Sequence, residues 1–391
     1  MEKEISMAIK HLEVILKLTA RCNINCTYCY YFYGADRTWE QRPKKLTSET
    51  LQDIIVFLKN SVQTQKIPSL QIDFHGGEPL LFGKNALDVL CQQLKFELDA
   101  HTRLSFALQT NAILIDPEWI DLIEKYQIHT SISLDGPEQT HNLYRVDHKG
   151  KGTYARVVKG LHLLQTAEKE KRIPKLNNLA VINPKTSGQK TYRHLVDVLE
   201  INQMDFLLPG FDYDTYQSSD TPLFGDYLID VFHEWIKDDN PNIKIRLFGA
   251  FIAKLYGNPT FMFPDKNYLN RESIALTIDT DGMMFGDDSL RSNQAWNQYK
   301  ALSIKDHHLE DFIQNEARWF ENNVSTPPAC QNCEWVSVCG GGQLENQYSS
   351  LNGYQNPSIY CEALQRLYQK IVVYLIDNGI NLETLTQVTA A

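Results

Sequence analysis

Seven of the chain's eight cysteines fall into two tight groups, one near each end of its 391 residues. Near the N-terminus the spacing is Cys22-x3-Cys26-x2-Cys29; near the C-terminus Cys330-x2-Cys333-x5-Cys339 is followed by Cys361. Close spacings like these point to metal in a reducing compartment and to disulfides in an oxidising one. The N-terminus, MEKEISMAIKHLEV, has no apolar core ending in a small-residue cleavage site, so the protein reads as cytoplasmic and its thiols as reduced. Three thiolates on one loop can cap three irons of a cubane and leave the fourth iron open to a small chelating molecule. Structural zinc wants four ligands, and no fourth cysteine lies near the first group. The second group supplies four thiolates, enough for a closed [4Fe–4S] cluster or for zinc, and its spacing leaves both open. Cys91, in Ala86-Leu-Asp-Val-Leu-Cys-Gln-Gln-Leu94, stands apart and reads as a helix packing residue.

The first two thirds of the chain alternate short apolar strands with amphipathic helices. Strands are expected at Leu12–Leu18, Leu70–Phe74, Leu104–Gln109, Ile128–Leu134, Leu179–Ile182 and Asp205–Leu208, with helices near Ser48–Val62, Asn85–Leu98, Pro117–Tyr126, Tyr154–Glu168 and Lys190–Leu199. That alternation means βαβ units on a parallel sheet, an α/β fold whose functional loops follow the strands' C-terminal ends. Six strands fall short of the eight of a closed barrel. The pattern changes from about Thr221: a helix at Asp226–Lys237, a strand at Ile243–Leu247, a helix at Ala250–Tyr256, then a hairpin turning on Asp281-Gly282, the type I′ pair. A last apolar stripe, Leu364, Leu367, Ile371 and Leu375, predicts a helix stopped by Gly379. A net charge of −10 with interspersed acids and bases argues against a nucleic-acid partner, and no apolar run is long enough to span a bilayer.

The run Lys17-Leu-Thr-Ala-Arg-Cys-Asn-Ile-Asn-Cys-Thr-Tyr-Cys-Tyr30 resembles the signature of radical S-adenosylmethionine (SAM) enzymes. The resemblance implies a partial (β/α)6 TIM-like barrel and a cluster on Cys22, Cys26 and Cys29 that chelates SAM and cleaves it to a 5′-deoxyadenosyl radical. It extends to Gly76-Gly77-Glu78-Pro79, similar to the family's SAM-amino-group motif; glycines permit close backbone approach and a carboxylate suits an ammonium. By the same resemblance Tyr28, Thr110, Asn111, Ser133, Asp135 and Arg145 are candidate SAM contacts, Arg145 toward its carboxylate; loop capping is the plainer role for Thr110, Ser133 and Arg145.

The second cysteine group resembles the SPASM domain, a C-terminal extension carrying auxiliary clusters in peptide-modifying radical SAM enzymes. A full SPASM domain has two further cysteines at positions where this chain has Asp287 and Gln343, so the resemblance implies one auxiliary [4Fe–4S] cluster, on Cys330, Cys333, Cys339 and Cys361. The expected organisation is a barrel over residues 1–235, a bridging segment 236–270 and a SPASM/twitch-like domain over 271–391. The segments Asp205-Phe-Leu-Leu-Pro209, Cys339-Gly-Gly-Gly342 and Asn352-Gly-Tyr-Gln-Asn-Pro-Ser-Ile-Tyr-Cys361 are similar to maturases that form three-residue cyclophanes in ribosomal peptides. What that implies is a bond from an aromatic ring carbon to the β-carbon of the residue two positions on, made after hydrogen abstraction. Loss of one proton and one electron completes it, with Asp287 and Asp288 as candidate bases. The alternatives are sulfatase-type oxidation to formylglycine, peptide epimerisation, or a zinc-stabilised binding protein without catalysis. The partners implied are a ribosomal precursor peptide and an electron donor such as flavodoxin or ferredoxin. No leader-recognition domain is expected before the first strand, so leader recognition is expected to use the barrel and C-terminal surfaces or a separate protein.

Overall fold

The computed structural model describes residues 8–216, 220–258, 260, 268–381 and 385. Six parallel strands follow one another across the sheet: β1 (His11–Thr19), β2 (Ser69–Gly76), β3 (Arg103–Thr110), β4 (His129–Ser133), β5 (Asn177–Val181) and β6 (Gln203–Leu207). The helices between them are α1 (Ser48–Gln65), α2 (Lys84–Leu98), α3 (Pro117–Tyr126), α4 (Tyr154–Lys169) and α5 (Gly188–Arg193), the last running into a π turn over His194–Val198. Their boundaries were legible because local chemistry sets them. Thr47 accepts from Thr50 N at the start of α1, and Asp116 accepts from Trp119 N ahead of Pro117 in α3.

The strands alternate with period two between a greasy outer face and a polar inner one. Leu12, Val14 and Leu16 of β1, with Leu70, Ile72 and Phe74 of β2, are buried against the helices. The intervening Glu13, Ile15 and Lys17 point the other way, in register with Gln71, Asp73 and His75. Burial of one face by helices leaves the polar set to line the lumen, which is where a reaction can be held.

Beyond β6 the sheet gains β7 (Lys244–Ile245), and β8 (Ser273–Ile278) pairs parallel to β1 on the opposite side, followed by antiparallel β9 (Met283–Phe285) and β10 (Leu302–Ser303). Thus Ser273–Ile278, expected in the C-terminal domain, extends the barrel's own sheet. The β8–β9 hairpin is not a type I′ turn. Gly282 has φ +81° and its N–H reaches Asp279 O (2.9 Å), while Asp281 keeps negative φ: a type I turn with a glycine bulge.

Three longer helices complete the layer: α6 (Thr221–Asp238), α7 (Arg246–Leu255) and α8 (Leu309–Asn323), with α9 (Cys361–Asp377) packed on α6. The strand expected over Ile243–Leu247 is cut to two residues because Asp205, buried on β6, starts a helix there. Its Oδ1 accepts from Leu247 N (3.0 Å) and its Oδ2 from Arg246 Nε (2.7 Å). Helix α8 was not anticipated, although Leu309, Phe312, Ile313 and Ala317 carry its buried face and His308 and Asp311 form its capping box. Among the described residues no helix is long and apolar enough to cross a membrane.

Candidate active site

Cys22, Cys26 and Cys29 lie in the loop after β1 and line one cavity of about 290 Å³ at the C-terminal ends of the strands. The loop is held from beneath by the segment after β2. Gly77 N donates to Thr19 O (2.9 Å) and Glu78 N to Arg21 O (2.9 Å). Contact is so close that a Cβ on Gly76, at φ +126°, would lie 2.3 Å from Thr19 O, and one on Gly77 2.2 Å from Arg21 O. This is the physical need for Gly76-Gly77.

Glu78 is buried, and its carboxylate is held by Thr110 Oγ1 (2.7 Å), Leu80 N (3.1 Å) and Asn111 N (2.9 Å). It therefore ties the β2 loop to the β3 loop, with acceptor capacity left on Oε2. Asn111 carries that tie to the cysteine loop, donating to Asn23 Oδ1 (2.7 Å). Thr110, though buried, lines the cavity together with Ser133, which accepts from Gln109 Nε2 (2.7 Å). Pro79 opens a short 3₁₀ turn and lies off the cavity.

A two-residue ribbon pairs Asn25–Cys26 with Arg145–Val146, which sets Arg145 beside Cys26. Arg145 NH1 donates to Tyr28 Oη (2.6 Å), and Tyr28 donates to Asp135 Oδ2 (2.6 Å). Tyr28 and Arg145 line the cavity; Asp135 stands behind them and also accepts from Val181 N (3.2 Å). The Nε of Arg145 is buried without a hydrogen-bond partner. A buried guanidinium with an unmatched donor beside a cavity is suited to a carboxylate ligand.

Four elements meet at a buried network on the lumen side. Lys17 Nζ pairs with Asp288 Oδ2 and lies 3.1 Å from His75 Nδ1, and Tyr30 Oη donates to the same Asp288 oxygen (2.9 Å). The Lys17 and Arg291 charges hold the Asp288 carboxyl well below the usual carboxylate range although burial opposes them. Burial pushes His75 down to about 3; Gly76 N donates to its Nδ1 (2.8 Å), so the neutral ring carries its proton on Nε2. Tyr30 and His75 line the cavity and Asp288 does not. Asp287 accepts from Ser289 N (2.9 Å) and lines a second chamber of about 780 Å³.

That chamber adjoins the first: Ser289, Gln343 and Glu345 line both. The two positions where SPASM relatives have cysteines, Asp287 and Gln343, thus share one chamber. Sequence reasoning did not single out Tyr30, His75, Pro209, Gly210 or Glu345. Pro209 and Gly210 directly follow β6 and were findable from the rule that functional loops follow strand ends. Glu345 was not, since only tertiary packing brings it to the barrel.

In the C-terminal part, Cys330 ends a 3₁₀ turn, Cys339 ends a short helix over Val336–Cys339 and Cys361 opens α9. Cys361 lies close enough to Cys330 and Cys333 to feel their charge, and Cys339 to feel Cys361 and Cys330. Gly340, Gly341 and Gly342, all with positive φ, turn the chain back so that Gly342 abuts Ser358. Cys339 lines the second chamber. Cys91 is wholly buried in the core against α2's neighbours, as expected.

A family model described as the Radical SAM superfamily matches residues 16–186. Over 337 residues the chain is 31% identical to the serine-type anaerobic sulfatase-maturating enzyme of Klebsiella aerogenes, spanning 82% of this chain and 76% of that one. The chain belongs to the radical SAM superfamily. It is also 31% identical over 401 residues to an uncharacterized protein of Synechocystis sp., covering 94% of this chain and 93% of that one. Its fold is that of the solved structure described as native anSMEcpe with bound AdoMet and Cp18Cys peptide, at a TM-score of 0.78 and 22% identity over 94% of this chain and 98% of that one.

As a radical SAM enzyme the chain binds a [4Fe–4S] cluster and SAM, which sets aside the reading of a zinc-stabilised protein without catalysis. Its residues fit both groups. Burial pushes the Cys22 thiol up to about 12 and Cys26 up to about 11, so thiolates here need a cationic core to hold them. The unmatched Arg145 Nε offers the donor a SAM carboxylate needs.

Proposed function

We propose that this radical SAM enzyme is a peptide maturase that removes two hydrogens from its peptide substrate, one of them from a β-carbon. The observation that carries this is the pair of adjoining cavities. The cysteine-lined cavity shares Ser289, Gln343 and Glu345 with a chamber of about 780 Å³, room for a polypeptide segment beside the SAM site. When bound, the cluster and SAM supply the 5′-deoxyadenosyl radical that abstracts hydrogen.

The chain's own residues then handle proton and position. Asp288 stays ionised beside Lys17, and Tyr30, on the cavity wall, donates to it. The proton lost on oxidation passes to Tyr30 as Tyr30 gives its own to Asp288, which makes Asp288 the base and leaves Asp287 to the other chamber. Cys330, Cys333, Cys339 and Cys361 would hold an auxiliary cluster at the chamber's edge, suited to accept the electron. An electron donor such as flavodoxin or ferredoxin would serve the first cluster.

Two products fit this chemistry. Similarity to sulfatase-maturating enzymes favours an aldehyde of the formylglycine kind, and the C-terminal motifs around Cys339-Gly-Gly-Gly342 favour the aromatic-to-β-carbon crosslink. Epimerisation has no support, since Cys91 is sealed in the core and no cysteine outside the two groups lines either cavity among the described residues. Coexpression with a candidate precursor peptide, followed by mass spectrometry, tests the proposal. A loss of two hydrogens supports it, hydrazide labelling marks the aldehyde, and a fragmentation gap over three residues marks the crosslink. An unmodified peptide alongside continued SAM cleavage would sink it.

A further inference from the structure

The second chamber is rich in acceptors. Asp287, Glu316, Glu345 and Glu13 line it, the last sharing a hydrogen bond with Asp73. Its other charged residues are Lys254, Arg271 and Arg246; Arg246 is committed to Asp205 (2.7 Å), so acid exceeds the remaining base. The guanidinium of Arg271 lies 4.6 Å from the ring centroids of both Tyr268 and Phe320 on the wall. Two buried oxygens there also have no partner: Tyr268 Oη, in a residue 4% exposed, and Gln347 Oε1, in a residue 2% exposed. Asp287 is exposed, and the surface it exposes belongs to the chamber lining.

The acid excess and the unmatched Gln347 Oε1 call for a donor, and Tyr268 Oη can accept from one. Spread acceptors suit a cation that carries several hydrogens and an apolar stem, as lysine and arginine do. We propose that this chamber receives a basic side chain of the peptide substrate, with Asp287 and Glu345 as the carboxylates that engage it, a proposal that rests on the peptide-maturase reading. Glu345 lines both cavities, so a basic residue seated there fixes which neighbouring residue faces SAM. Burial pushes Glu345 up to about 8 and Glu316 up to about 7, repulsion from Asp287 adds to both, and Arg271 offsets this only in part at Glu316. A basic guest relieves that repulsion.

The test is selection of a random nonapeptide display library on the reconstituted holoenzyme with SAM. Enrichment of lysine or arginine at one position is expected. In the best-bound peptide, replacing that arginine by citrulline, or that lysine by norleucine, should weaken binding about tenfold by fluorescence anisotropy, the loss of one charge-assisted pair. Asp287→Asn and Glu345→Gln should abolish the preference; should either fail to fold, the citrulline comparison on the unaltered enzyme still decides. Retained peptides without basic enrichment, or equal binding of the citrulline peptide, overturn this inference and leave the peptide reading standing. Retention of no peptide of any composition overturns both.

Discussion

The single residues of this site divide by whether the lumen keeps them charged. Asp288 is ionised because Lys17 and Arg291 outweigh its burial, whereas at Glu316 burial outweighs Tyr299 and Arg271, and Glu345 is pushed up by burial and by Asp287. Asp288→Asn keeps the shape and removes the base, so SAM cleavage should persist while peptide product falls about a hundredfold or more. Deoxyadenosine and product measured in one assay check this, and undiminished product would exclude Asp288. Arg145→Gln removes the buried cation with the unmatched Nε. SAM affinity of the reconstituted enzyme should fall roughly thirtyfold, about 2 kcal/mol, with iron content unchanged. Equilibrium dialysis measures it. The three cysteines were legible because thiol spacing on one loop is a local property. Arg145's partner was not, because the Asn25–Cys26 and Arg145–Val146 ribbon joins segments far apart in sequence.

Elements meet here at glycine. Gly76→Ala places a methyl against Thr19 O in a conformation that L residues avoid, and should cost about 3 kcal/mol in urea unfolding. Gly249→Ala is the contrast: it sits within α7 with nothing within 4 Å of the added carbon, and should be neutral or gain about 0.5–1 kcal/mol. Equal effects would mean that the β1–β2 contact is looser than described. Helix α8 brings a pH effect. Burial raises Glu316 from 4.5 to about 7, so its contribution is fully present below pH 4.5 and is lost as pH rises through about 7. Glu316→Gln should flatten the decline in stability across that window, read from denaturant midpoints at successive pH values. The hairpin and α7 show what local reading misses. The Asp281-Gly282 pair was visible, yet φ at Asp281 fixed the turn type, and the cap that starts α7 is Asp205, on another element.

At the scale of the molecule, two thiol groups flank an adjoining pair of cavities. Cys330→Ser and Cys361→Ser should each lower iron from about eight to about four per chain while SAM cleavage survives. Peptide product should be lost if the second group takes up the electron, and full iron in both variants would rule out that ligand set. The parallel order of β1 to β6, the cysteine loop after β1 and the glycine pair after β2 follow from the sequence alone, because period-two burial, caps and spacing act over a few residues. Only the tertiary structure decided that β8 joins β1's free edge, that Asp288 belongs to Lys17 and Tyr30, and that Asp287, Gln343 and Glu345 share one chamber. Those are contacts between residues tens to hundreds of positions apart, settled when the sheet curls round a polar lumen.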